Sequence, residues 1–81
     1  MPKRATALTT PAIILDQHAR TPLYTQLYER LRDAIRAGQL TPDARLPSTR
    51  ALASALGVSR TTTALAYEHL LLEGYIESRV G

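Results

Sequence analysis

Three single glycines, Gly38, Gly57 and Gly74, each close a segment that opens on a hydroxyl residue and repeats its apolar side chains at helical spacing. This punctuation leaves room for three short helices and little else. The first segment opens at Thr21-Pro22, where Thr is a good cap and Pro in the first turn gives up a hydrogen bond that a helix start does not make. Leu23, Tyr24, Leu27, Tyr28, Leu31, Ala34 and Ile35 then share one face, which predicts a helix over about 22–37. Pro47 precedes a second cap, Ser48-Thr49, and Ala51–Leu56 is rich in helix formers. Only Val58 separates Gly57 from a third cap, Ser59, and a helix over about 60–73 turns Thr63, Ala66, Tyr67 and Leu70 to one side. Beyond Gly74, Tyr75–Val80 alternates as a strand does. The fold class is therefore mainly α with a small β element, in the order helix, turn, short helix, tight turn, helix, strand.

Ahead of this pattern, residues 1–21 read as an N-terminal arm, with Pro2, Pro11 and a Thr-rich stretch but no sustained period. Its patch Ile13-Ile14-Leu15 is suited to pack as a short extended segment on the domain or on a partner. Residues 22–81 form the domain proper. A chain of 81 residues has space for one small core. It has no Cys, so neither a disulfide framework nor a thiolate zinc site supports that core. The longest apolar runs are four residues, as in Ala12–Leu15, far below what a bilayer requires. The basic start Met1–Arg4 lacks a secretory apolar region behind it, so the expected location is cytoplasmic, among nucleoid DNA.

The net charge of +3 and the pI near 9.8 favour a polyanionic partner. Its distribution says more. Residues 40–60 hold three Arg against one Asp, whereas residues 61–81 hold three Glu against one Arg. The cations thus gather around two helix starts. Leu56-Gly57-Val58-Ser59 joins the second and third helices as a helix-turn-helix. Ser59-Arg60-Thr61-Thr62 places a guanidinium and hydroxyls on the first turn of the third helix, where unpaired N–H groups and the dipole favour phosphate. In a major-groove reader these residues meet base edges. Arg60 suits guanine O6 and N7, and the threonines suit phosphates or the thymine methyl. Ser48, Thr49 and Arg50 repeat the arrangement at the second helix, with Arg45 just ahead of it.

Several blocks carry a resemblance: Pro22-Leu23-Tyr24-x-Gln26-Leu27, Gly38-x-Leu40-x-Pro42, Leu46-Pro47-Ser48-x-Arg50-x-Leu52-Ala53, Leu56-Gly57-Val58-Ser59-Arg60 and Ala66-Tyr67-x-x-Leu70-x-x-Glu73-Gly74-Tyr75-Ile76. In register over about 22–81, they closely resemble the winged-helix domain of GntR-type transcription regulators, most like the MocR subset. The resemblance implies a winged helix-turn-helix that binds double-stranded operator DNA. It implies DNA contacts from Ser48, Arg50, Ser59, Arg60, Thr61 and Thr62, and a wing tip near the minor groove at Gly81; Arg79 in the wing strand is a further candidate. Relatives of the MocR type bind pyridoxal phosphate in a separate aminotransferase-like domain, so no cofactor is expected in this chain. Pro42-Asp43 replaces the family's usual Pro-Gly, and Thr63 stands where Val is preferred, its hydroxyl placed to bond back to the Ser59 carbonyl. Relatives continue past Gly81 with a second Gly and a further strand, so the wing is expected to be truncated and the chain to be a lone domain, monomeric in isolation, with pairing on DNA left open.

Other readings are weaker. His18 and His69 lie far apart without clustered carboxylate ligands, so no metal is expected, and His69 reads as a helix-surface residue. Glu29 and Asp33 read as a solvated ion-pair stripe with Arg32 and Arg36, three residues away in each case. Ser48, Ser54 and Ser59 lack a nucleophile-elbow context and read as caps or helix positions, and nothing in the chain supports an enzyme. Tyr24, Tyr28 and Tyr67 fall on core registers. The competing function is a protein-interaction module using the acidic C-terminal stretch and the Ile13–Leu15 patch.

Overall fold

The computed structural model describes residues 13–40 and 46–77. It holds three helices, α1 (Leu23–Arg36), α2 (Thr49–Leu56) and α3 (Arg60–Leu72). Helix α3 packs on both α1 and α2. Leu27, Leu31 and Ala34 of α1, Leu52 of α2, and Ala66 and Leu70 of α3 form the buried core with Tyr28 and Leu40. Leu27, Leu31 and Leu70 are fully enclosed, and each contributes roughly 1.5–3 kcal/mol on removal from water. Thr63 is also fully buried, and its Oγ1 lies 3.5 Å from the Ser59 carbonyl, a long contact in the expected direction.

The tight turn between α2 and α3 depends on Gly57. At φ +70° it occupies the left-handed region, which costs a residue with a Cβ about 1–2 kcal/mol. This lets the Val58 N–H bond back to the Ala53 carbonyl at 3.0 Å, closing the helix end. The same closure ends α1 through Gln39 to Ala34 (2.8 Å) and α3 through Tyr75 to Leu70 (2.9 Å). These closures return Leu40 to the buried core and bring Tyr75 and Ile76 against it.

The structure corrects several expectations. Pro22, not Thr21, occupies the cap position of α1, with an extended ψ of 148° and no side-chain cap. Gln26 holds the Thr21 carbonyl at 2.8 Å from inside the helix, so the chain enters α1 one residue later. Tyr24, in the first turn, is 39% exposed rather than part of the core. His69 stays on the helix surface as expected, its side chain 43% exposed, but it also stacks on Tyr28 with centroids 3.8 Å apart. Arg32 pairs with its neighbour Asp33 at 2.9 Å instead of a residue one turn away, while its guanidinium lies 5.5 Å from the Tyr28 ring centroid. Of the strand expected over Tyr75–Val80, Tyr75 and Ile76 form a bend, Glu77 is irregular chain, and the remainder lies outside the described residues.

Part of the arm is docked. Ile13 and Leu15 pack on the core while Ile14 points outward, as alternation along an extended segment requires. The buried Gln26 amide holds this segment. Its Oε1 accepts the Asp16 N–H at 2.8 Å, and its Nε2 donates to the Asp16 carbonyl at 2.9 Å.

Candidate nucleic-acid interface

Two helix starts built on one plan lie side by side. At α2, Ser48 has an extended backbone and its Oγ accepts the Ala51 N–H at 3.0 Å. At α3, Ser59 is likewise extended and its Oγ accepts the Thr62 N–H at 3.0 Å. Each serine satisfies one of the N–H groups that a helix start leaves open. Neither first turn carries an acidic residue, so the positive ends of both helices are uncompensated from within.

Between the tips runs an open cleft of about 550 Å³, lined by Ser48, Thr49, Arg50, Arg60, Thr61 and Ala64. Arg50 and Arg60 are exposed. Among the described residues the close acid–base contacts are the Arg32–Asp33 ion pair and His69 with Glu73 at 4.0 Å, so no described carboxylate neutralises either arginine. A guanidinium near a helix start opposes the local dipole, and an anion in the cleft relieves both fields together.

The structure therefore brings Ser48, Thr49, Arg50, Arg60 and Thr61 to one surface. Ser59 and Thr62 are not among the cleft's walls. The Ser59 Oγ lies 2.9 Å from Thr62 Oγ1, and the two hydroxyls are engaged with each other at the cap. Arg45, Arg79 and Gly81 lie outside the described residues. Ala64 is a cleft wall that the sequence reading passed over, although its place four residues after Arg60 puts it on the same helix face. Tyr67 is a second omission. Its core register accounts for packing alone, yet its hydroxyl donates to the Pro47 carbonyl at 2.6 Å, and burial pushes its pKa up to about 12. No sequence signal marks a partner that is a backbone carbonyl.

Among the described residues, no three or more His, Cys, Asp or Glu side chains are grouped to hold a metal, and no helix is long and apolar enough to cross a membrane.

Three helices with a Gly turn and two capped, cationic tips define a helix-turn-helix domain. Residues 23–81 match the family described as bacterial regulatory proteins, gntR family, and the chain belongs to it. Over 69 residues, 85% of this chain, it is 54% identical to the probable rhizopine catabolism regulatory protein MocR of Rhizobium meliloti. It is 44% identical, again over 69 residues, to the pyridoxine biosynthesis transcriptional regulator PdxR of Corynebacterium glutamicum. The chain spans only 14% and 15% of the lengths of these two relatives. Among solved structures, YtrA from Sulfolobus acidocaldarius, a GntR-family transcription factor, superposes with a TM-score of 0.79 at 40% identity, covering 83% of this chain and 71% of that one. The chain thus carries the DNA-binding domain of a GntR-family transcription regulator.

Proposed function

We propose that this domain reads duplex DNA in sequence-specific fashion, with the start of α3 in the major groove, as part of a MocR-type regulator. The observation that carries the reading is the shared cleft, where two capped helix tips present Arg50 and Arg60 with no described carboxylate beside them. Arg60 and Thr61 meet base edges, while Ser48, Thr49 and Arg50 hold phosphates and fix register. Ser59 and Thr62 contribute through the exposed α3 tip, and Arg45, Arg79 and Gly81, outside the described residues, are further contacts. The similarity to the MocR relative supports the subset. The domain is a binding module with no cofactor of its own, working on operator DNA in the cytoplasm. It is monomeric in isolation.

Gel-shift titration against palindromic promoter fragments at low salt, with a neutral polymer as control, tests this. With three or four phosphates neutralised, log K falls against log salt with a slope of about −3. Arg60→Ala weakens binding by about 1–3 kcal/mol and relaxes preference at one base position. An equal loss on all sequences reassigns Arg60 to phosphate. Binding indifferent to duplex and salt, or none at all, overturns the DNA reading in favour of a protein partner.

A further inference from the structure

Tyr67 belongs to α3, but its hydroxyl serves α2. It reaches back twenty residues to the Pro47 carbonyl, immediately before the Ser48 cap. The first acceptor of the α2 ladder is the Ser48 carbonyl, which takes the Leu52 N–H at 2.9 Å, so α2 makes no use of the Pro47 oxygen itself. Among the described residues this is the only hydrogen bond that joins the lead-in of α2 to α3. The rest of that contact is apolar, through Leu52 and its neighbours in the core. Apolar contact is not directional. A hydrogen bond of 2.6 Å is directional, and it acts one residue from the tip that carries Ser48, Thr49 and Arg50.

We propose that Tyr67 is a positioning residue for DNA binding, its hydroxyl holding the α2 tip at the spacing from the α3 tip that a duplex requires. This rests on the DNA-binding reading above. Tyr67 touches no DNA in this scheme and acts through Arg50 and its neighbours. Its half-buried ring stays in place when the hydroxyl is removed, so recognition is lost more than folding.

The test uses the 81-residue chain, a duplex selected by the wild-type chain from a random-sequence library, and a shuffled duplex of equal length. Tyr67→Phe, shown to be folded by circular dichroism, binds the selected duplex roughly fivefold to tenfold more weakly, about 1–1.4 kcal/mol. The shuffled duplex is affected less. In an Arg50→Ala background the same substitution changes affinity by less than about twofold, while with Arg60→Ala the two losses multiply. Wild-type affinity for Tyr67→Phe, or an equal loss in both backgrounds, overturns the proposal while leaving the DNA reading intact. Failure of the wild-type chain to bind any duplex removes both. Should Tyr67→Phe not fold, an ester in place of the amide between Pro47 and Ser48 weakens the same acceptor with every side chain retained. It must then reproduce the Arg50-dependent loss, and its failure to do so overturns the proposal.

Discussion

The two sides of α3 are built from different materials. Toward α1 it presents Ala66 and Leu70 to Leu27 and Leu31, and Tyr28 adds a stack with His69 and an edge contact with Tyr75 at 6.5 Å. Toward the α2 tip it offers a polar cleft and, among the described residues, one hydrogen bond to the lead-in of α2. One face is dry, enclosed and specified by shape. The other is wet, cationic and specified by caps. On the proposed function, stability and recognition fall on separate faces of one short helix. The polar tip can change its reading residues without disturbing the side chains that hold the domain together.

The sharpest way to break this division is to injure the dry face and watch the wet one. Leu70→Ala removes a fully enclosed side chain from the centre of the α1–α3 contact and costs about 2–5 kcal/mol. Small domains hold only about 5–15 kcal/mol in total, so thermal unfolding followed by circular dichroism shifts markedly downward. DNA affinity of the fraction that remains folded should stay near wild type. If the folded fraction loses specific binding as well, the two faces are coupled and the division fails.

A smaller effect sharpens the comparison within the wet face. Ser48→Ala and Ser59→Ala each remove a cap and cost about 1 kcal/mol in denaturant unfolding. Ser59 also bonds the Thr62 hydroxyl, so its loss leaves a second group without its partner and should be the larger of the two. Equal costs would mean that the Ser59–Thr62 contact adds nothing to the cap.

The dry face was largely legible in the sequence because apolar spacing and glycine punctuation act locally. Leu27, Leu31, Ala66 and Leu70 follow from periodicity, and Gly57 from the helix-forming run it ends just before the Ser59 cap. Tyr24 shows the limit of that logic. It shares a register with buried neighbours, yet a first-turn position leaves it exposed, and periodicity does not report how far a partner helix extends. Of the cleft, the tips could be read from Ser-x-Arg and Ser-Arg-Thr, since caps and guanidiniums announce themselves. Gln26 and Tyr67 were not assigned their roles because the groups they hold are backbone N–H and carbonyl groups of Asp16, Thr21 and Pro47, which every residue possesses. Only the fold selects which of them comes within reach.

The phenol of Tyr67 makes stability pH-dependent only in the alkaline range. The Tyr67 phenol is pushed up to about 12 by burial, and the hydrogen bond it donates to Pro47 works in the same direction by favouring the protonated form. Its unfolded value is near 10, so the native state favours the neutral phenol more than the unfolded chain does. The stability this contributes is intact below pH 10 and is lost as pH rises from 10 through about 12. Other groups titrate in that range, so the informative quantity is the difference between wild type and Tyr67→Phe in denaturant unfolding across it. The wild-type advantage should shrink with rising pH. An advantage independent of pH would place the phenol in water and detach the α2 tip from α3.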